Sequence, residues 1–285
     1  MAVFTDGYWT SADGLKLHYR DYPGRADRPA IVCLPGLTRN ARDFESLAER
    51  LSGEWRVVCP EMRGRGDSAY AKDPATYTPA RYVEDLGLLF SQPGFGRIVP
   101  VGTSLGGLLT MVLGVTLGNR IAGAALNDIG PVIEEAGLAR IREYVGQGRS
   151  FPTWMHAARA LEESQGIAFP EYGIADWLRM AKRVMTLSSK GRIVFDYDMK
   201  IAEPFARPDG AAPPDLWPML DAFRGKPVLL LRGELSDVLS VETFDAMAAR
   251  LPGAEAVTVA RTGHAPTLDE PEAVAGIDRL LARIA

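Results

Sequence analysis

The pattern Gly102-Thr103-Ser104-Leu105-Gly106 places a serine between two glycines at the spacing G-x-S-x-G. A serine hydroxyl becomes an effective nucleophile only when a general base lies within hydrogen-bonding reach. An apolar, strand-like run (residues 97–101) leads directly into the pattern, and an apolar helical stretch follows it. A strand-to-helix turn of this kind exposes its central residue and needs small neighbours, because the two backbones approach closely. The pattern therefore predicts that Ser104 is a nucleophile, with the positive end of the following helix directed at it.

Histidine is the usual base for such a serine, because its pKa lies close to neutral pH. The chain contains three histidines: His18, His156 and His264. His264 follows the last buried strand in the sequence, so in a parallel sheet it belongs to the edge where Ser104 also lies. His18 lies on an N-terminal hairpin, where a packing or surface role is expected. We therefore predict His264 as the base.

A third group must orient the base. An apolar run at residues 227–231 leads into Arg232-Gly233-Glu234-Leu235-Ser236-Asp237, and Asp237 is the expected acid. Asp128 and Glu234 also come just past strand ends, and both remain as alternatives.

Attack of Ser104 on an ester carbonyl would create an oxyanion that needs two preorganised N–H donors. The backbone N–H of Leu105, the residue after the nucleophile, is expected to be one donor. The backbone N–H of Leu37, in the tight turn Pro35-Gly36-Leu37-Thr38, is expected to be the other.

The elements that must position these residues alternate between strand and helix patterns. A hairpin is predicted around Asp13-Gly14. Continuous apolar runs, which are typical of strands buried on both faces, occur at residues 30–34, 56–60, 97–101, 121–127, 227–231 and 256–260. Helical spacing of apolar residues separates most of these runs. This alternation predicts an α/β fold with a parallel sheet built from right-handed βαβ units.

The alternation of strand and helix patterns stops after Asp128-Ile129-Gly130-Pro131, and the next buried strand is predicted at residues 227–231, after a proline-rich break. The segment between these points shows helical patterns rich in aromatic residues. We therefore expect a catalytic core of residues 1–130 and 217–285, interrupted by a helical cap of residues 131–216. Trp154 and His156 of the cap, together with Val238 of the core, are the residues expected to line a substrate pocket.

Composition excludes several classes of partner. The 285 residues carry 32 basic and 36 acidic side chains, a net charge of −4, without a long run of one sign. This balance argues against nucleic acid or an anionic membrane as the main partner. The N-terminal residues do not resemble a signal peptide, and Cys33 and Cys59 fall in apolar strand-like runs, as expected of buried thiols in a reducing, cytoplasmic compartment. Neither the cysteines nor the histidines show the spacing of metal ligands, so neither metal nor cofactor is expected.

Together these motifs resemble the α/β-hydrolase fold superfamily. The resemblance covers nearly the whole chain and rests on Pro35-Gly36-Leu37, Arg63-Gly64-Arg65-Gly66-Asp67-Ser68, the Ser104 motif, the Asp237 segment and Gly263-His264-Ala265-Pro266. It implies an eight-stranded, mostly parallel sheet flanked by helices, with a helical cap inserted between strands six and seven. Position 35 is proline where the family often has histidine, which bears on the packing of that loop.

Within this superfamily, a serine nucleophile favours a carboxylic ester hydrolase that works through an acyl-enzyme on a small-molecule ester, as a monomer or a homodimer. Hydrolysis of a carbon–carbon bond or of an enol-lactone by the same triad is the alternative. Such substrates carry carboxylates, so that alternative requires a basic residue of the cap (Arg140, Arg142, Arg159, Arg179 or Arg183) to face the pocket. A third hypothesis is that the protein is a ligand receptor with this fold and no catalytic activity. The presence of a serine, a histidine and an aspartate at the expected positions disfavours that hypothesis.

Overall fold

The structure, a computed structural model, describes residues 3–206 and 215–284. Residues 207–214, part of the expected cap, lie outside the described residues. The strands are β1 (Thr5–Thr10), β2 (Lys16–Tyr22), β3 (Ala30–Leu34), β4 (Val57–Pro60), β5 (Ile98–Thr103), β6 (Ala124–Asn127), β7 (Ser150–Phe151), β8 (Met185–Leu187), β9 (Ile193–Phe195), β10 (Val228–Gly233) and β11 (Glu255–Val259). The α-helices are α1 (Glu45–Leu51), α2 (Pro79–Phe90), α3 (Leu105–Leu117), α4 (Glu135–Tyr144), α5 (Trp154–Gln165), α6 (Ile174–Val184), α7 (Ala202–Ala206), α8 (Trp217–Leu220), α9 (Val241–Arg250) and α10 (Pro271–Ala282).

Eight strands form one sheet in the order β1-β2-β4-β3-β5-β6-β10-β11. The pairs β1–β2 and β2–β4 are antiparallel, and every pair from β4 to β11 is parallel. The predicted eight-stranded, mostly parallel α/β fold is confirmed. Because β5, β6 and β10 are neighbours, the loops that follow their carboxyl ends meet at one edge of the sheet.

Helices cover both faces of the sheet, which explains the continuous apolar runs of its central strands. Along β3, Ile31 and Cys33 pack into the hydrophobic cluster that includes residues of α1 and α10, whereas Val32 and Leu34 pack into the cluster that includes residues of α2, α3 and α9. A strand buried on both faces cannot alternate between apolar and polar residues.

The chain between β6 and β10 forms a helical segment with its own hydrophobic core around Trp177, which is 1% exposed. This segment also contains a small antiparallel sheet in the order β7-β9-β8. These strands could not be predicted from the sequence, because runs of two or three residues are too short to show a period.

Arg42 joins this inserted segment to the core of the protein. Its guanidinium donates to the carboxylate of Asp196 at 2.7 Å and to the main-chain oxygen of Met185 at 3.3 Å.

Among the described residues, no helix combines the length and the apolar character needed to cross a membrane.

Candidate active site

Ser104 lies on the sharp turn between β5 and α3, with φ 53° and ψ −118°. This conformation is in the left-handed region that residues other than glycine rarely adopt. The flanking glycines are required by close packing. A Cβ at Gly102 would lie 2.3 Å from the Gly106 carbonyl oxygen, and one at Gly106 would lie 1.9 Å from the Leu34 carbonyl oxygen. The turn therefore holds Ser104 at the N-terminus of α3.

His264 reaches the serine from the loop after β11. Its Nε2 lies 2.8 Å from Ser104 Oγ. Asn127, at the end of β6, secures this loop because its side-chain amide donates to the Pro266 carbonyl oxygen at 2.8 Å. Asn127 could not be predicted from the sequence, since an amide that fixes a loop leaves no pattern along the chain.

Asp128 is the carboxylate that contacts His264. Its Oδ2 lies 2.8 Å from His264 Nδ1, and its side chain is fully buried. The same carboxylate accepts hydrogen bonds from the Gly233 N–H and the Ser236 hydroxyl, each at 2.8 Å. Asp128 itself has φ 56°, so the chain turns sharply as it leaves β6. These contacts fix both oxygens of the carboxylate.

The prediction that Asp237 would orient His264 is wrong, because the carboxylate that contacts His264 is that of Asp128. The loop after β10 presents Ser236 to Asp128, and Asp237 instead forms a two-point ion pair with Arg140 of α4. Burial raises the pKa of Asp237, but its hydrogen bonds with Arg140 lower the pKa further, so the net shift is downward. Of the two alternatives, Asp128 occupies the predicted position, whereas Glu234 accepts a hydrogen bond from the Arg261 N–H at 2.6 Å.

The loop that carries Leu37 adjoins the serine. A Cβ at Gly36 would lie 3.7 Å from Ser104 Cβ, so no side chain separates this turn from Ser104. The buried side chain of Arg65 anchors the loop, because its Nε donates to the Leu37 carbonyl oxygen at 2.8 Å. Leu105 follows Ser104 as the first residue of α3. Of the two residues predicted to supply N–H donors, Leu37 therefore follows Gly36, which adjoins Ser104, and Leu105 follows Ser104 itself.

A cavity of about 120 Å³ opens at Ser104 and His264. The core contributes residues 36–39, 43–44, 103–104 and 264–268, and the inserted segment contributes residues from α4 to Tyr197. Since an apolar cavity of about 150 Å³ can hold a molecule the size of benzene, this volume suits a short acyl group.

The three residues predicted to line a pocket are absent from this cavity wall among the described residues. Trp154 packs against the core of the inserted segment, and Val238 is buried against Ile129 and Ile141. His156 is exposed, and its Nδ1 lies 2.9 Å from Thr153 Oγ1. Each side chain is directed by the packing of its own element, which residue type alone does not reveal.

One group of side chains in the described part of the chain has the spacing of metal ligands: His18, Glu61 and Asp67. Glu61 already accepts hydrogen bonds from the Ala41 N–H at 3.1 Å and the Asp67 N–H at 2.7 Å. His18 Nδ1 lies 2.9 Å from Glu61 Oε2. The group forms a hydrogen-bonded network beneath the Arg63–Ser68 loop and does not line the cavity.

The family follows from comparison with known proteins. A family model described as "Alpha/beta hydrolase family" matches residues 31–277. The chain belongs to the alpha/beta hydrolase family.

Individual relatives within this family cover nearly the whole chain. The chain is 32% identical over 267 residues to a 3-hydroxybutyrate-oligomer hydrolase of Cupriavidus necator, an alignment that covers 91% of this chain and 90% of the relative. It is 24% identical over 246 residues to a 2-(acetamidomethylene)succinate hydrolase of Mesorhizobium japonicum, covering 86% and 84%. A crystal structure of an alpha/beta hydrolase from Novosphingobium aromaticivorans matches with a TM-score of 0.96, 62% identity and complete coverage of both chains. The protein is therefore a hydrolase of this family.

Proposed function

We propose that the protein hydrolyses carboxylic esters through an acyl-enzyme formed on Ser104. The observation that carries the proposal is the hydrogen-bonded series from Ser104 Oγ to His264 Nε2 and from His264 Nδ1 to Asp128, with both distances at 2.8 Å. This series has the arrangement of nucleophile, base and orienting acid that acyl transfer requires.

In the first step, Ser104 Oγ bonds to the ester carbonyl carbon while His264 Nε2 accepts the hydroxyl proton. The carbonyl π electrons move to oxygen and give a tetrahedral oxyanion. Asp128 holds the Nδ1–H of His264, which fixes the tautomer and stabilises the imidazolium that forms. His264 then donates its proton to the leaving alkoxide oxygen, and the carbon–oxygen bond breaks to leave the acyl-enzyme.

The backbone N–H groups of Leu37 and Leu105 are the proposed donors to the oxyanion. The position of Leu105 at the start of α3 supports this role, since the first N–H groups of a helix lack acceptors within the helix. The contact between the Gly36 turn and Ser104 supports the role of Leu37.

In the second step, water attacks the acyl carbon while His264 accepts its proton. Collapse of the second tetrahedral intermediate releases the carboxylic acid and returns the proton to Ser104. Residues 131–216 are proposed to act as a cap in both steps. Their contribution to the cavity wall beside Ser104 supports this role.

Short esters are the proposed substrates. The small cavity volume favours a short acyl group, and similarity to the 3-hydroxybutyrate-oligomer hydrolase points to oligomers of short hydroxy acids as one group to test.

The test is turnover of a p-nitrophenyl ester series from acetate to decanoate, together with 3-hydroxybutyrate dimer. We expect activity that is highest with the shorter acyl groups. Ser104→Ala is expected to lower kcat by about 10⁴-fold or more and to abolish labelling by a fluorophosphonate probe. Ser91→Ala, which alters an exposed serine at the end of α2, is the matched control. Full activity in Ser104→Ala would refute the proposal.

Cleavage of a carbon–carbon bond or an enol-lactone is the second candidate. The observation that favours it is that the inserted segment contributes Arg140, Arg149 and Arg183 to the cavity wall, where a carboxylate-bearing substrate of that kind requires a basic residue. Turnover of an enol-lactone or a vinylogous diketone with a kcat/KM above that of every ester in the series would establish this candidate instead.

A further inference from the structure

The cavity beside Ser104 collects positive charge in a protein whose net charge is −4. Its wall includes one aspartate, Asp43, and four arginines, which are Arg39, Arg140, Arg149 and Arg183.

Three of these arginines already have carboxylate partners. Arg39 Nε donates to Asp43 at 2.6 Å. Arg140 forms its two-point pair with Asp237, and Arg183 pairs with Asp269. These ion pairs neutralise the three guanidinium groups and leave them poorly suited to capture another anion.

Arg149 differs from the other three. Within residues 3–206 and 215–284, no carboxylate forms an ion pair with its guanidinium, which lies over the ring of Phe151 with 5.4 Å between Cζ and the ring centroid. Arg149 is exposed at the edge of the cavity, and Phe151 is part of the cavity wall. Stacking on an aromatic ring restricts the guanidinium plane while leaving its N–H groups open to a ligand.

We propose that Arg149 binds the free carboxylate of the substrate, so that the protein prefers esters whose acyl or alcohol part ends in a carboxylate. The proposal rests on the ester hydrolysis proposed above and names its substrate class. A guanidinium donates two parallel hydrogen bonds to a carboxylate, which gives both attraction and orientation. Arg149 and Ser104 line the same cavity, so one substrate would place its carboxylate at Arg149 and its scissile carbonyl at Ser104. Short oligomers of hydroxy acids have this form.

The experiment compares two substrates that differ in one charge: the mono-p-nitrophenyl ester of glutaric acid and the same compound with its free carboxylate methylated. The wild type is expected to have the higher kcat/KM for the charged ester. Arg149→Gln should lower kcat/KM for the charged ester by about tenfold or more, with less than about a twofold change for the methylated ester. Arg149→Lys, which keeps the charge but loses the two-point geometry, should fall between these values.

Arg159→Gln is the matched control, because it removes one positive charge from α5 at a position outside the cavity wall. We expect it to leave the ratio of the two kcat/KM values unchanged. An equal loss in Arg159→Gln and Arg149→Gln would overturn the proposal, since it would reduce the effect to net charge. An unchanged ratio in Arg149→Gln would overturn it as well.

Calorimetric binding of glutarate, with glutaramide as the neutral comparison, needs no turnover. Glutarate should bind the wild type and Arg159→Gln equally and Arg149→Gln about tenfold or more weakly. Arg149-dependent binding of glutarate in a protein that hydrolyses neither ester would refute the proposed ester hydrolysis and leave the carboxylate site standing. If the protein hydrolyses both esters but the wild type and Arg149→Gln bind glutarate equally, the carboxylate site alone would be refuted.

Discussion

Asp128 Oδ2 and His264 Nδ1 lie 2.8 Å apart, although 136 residues separate them in the chain. Asp128 immediately follows β6, and three further contacts to its neighbourhood hold it in place: its own N–H donates to the Leu231 carbonyl oxygen, and its carboxylate accepts from Gly233 and Ser236. β10 thus serves the site mainly by supplying donors to the carboxylate that follows β6.

Asp128→Asn is expected to lower kcat by about 10³–10⁴-fold, because an amide cannot hold the Nδ1–H tautomer of His264 or stabilise its imidazolium. Asp237→Asn should lower kcat by less than about fivefold, since it weakens only a partly exposed ion pair with Arg140. The measurement is kcat with p-nitrophenyl butyrate, with circular dichroism to establish folding. A loss in Asp237→Asn as large as in Asp128→Asn would contradict the assignment of Asp128.

Gly106→Ala should destabilise the protein by about 2 kcal/mol or more, because the new Cβ would overlap the Leu34 carbonyl oxygen and force β3 away from α3. Gly87→Ala is the matched control inside α2, where a Cβ would meet no described atom within 4 Å apart from its chain neighbours and the backbone of its own helix. That change should stabilise the protein by about 0.5–1 kcal/mol. Urea unfolding followed by circular dichroism measures both values, and equal midpoints would show that the turn accommodates a side chain.

Arg65→Lys should lower kcat by about tenfold or more while KM changes by less than about threefold. The guanidinium of Arg65 joins the Leu37 carbonyl oxygen to the Tyr82 hydroxyl, and a lysine ammonium cannot span both acceptors. The loop would then hold the proposed oxyanion donor less accurately, which affects the transition state more than substrate binding. Arg97→Lys is the control, because it makes the same change at an exposed arginine. A change confined to the melting temperature would indicate a structural role only.

His18 is expected to make stability depend on pH. Burial lowers its pKa, but hydrogen bonds to Glu61 and Asp6 together raise it above the usual value of about 6.5. A raised pKa in the folded state means that the protonated imidazole stabilises the fold below about pH 6.5, and that this contribution declines as pH rises through the folded pKa.

The pH dependence is measured by urea unfolding of the wild type and His18→Gln between pH 5.5 and pH 9. The difference in unfolding free energy between the two proteins should be largest at the acidic end and should shrink toward alkaline pH. A difference that stays constant would mean that folding leaves the pKa of His18 unchanged, and one that grows with pH would mean that folding lowers it; either result would contradict the prediction.

The secondary structure of the core could be predicted from the sequence because its signals are local. A strand buried on both faces is a continuous apolar run, and Ala30–Leu34 appears in the structure with the bounds that its run predicts. The close approach of β5 and α3 likewise requires glycine on both sides of Ser104. The five residues of the motif were therefore enough to predict this turn. Because the chain contains only three histidines, the sequence could predict His264 as the base.

The tertiary structure decided which carboxylate meets His264 and which side chains form the cavity wall. Asp128 and Asp237 both follow parallel strands that lie side by side, so strand position could not separate them. The backbone turn at Asp128 and the ion pair between Asp237 and Arg140 separate them, and the latter depends on a helix from the inserted segment. Local spacing determined the elements and the positions of Ser104 and His264, whereas contacts between residues far apart in the chain brought Asp128 to His264 and placed Arg149 rather than Trp154 at the cavity.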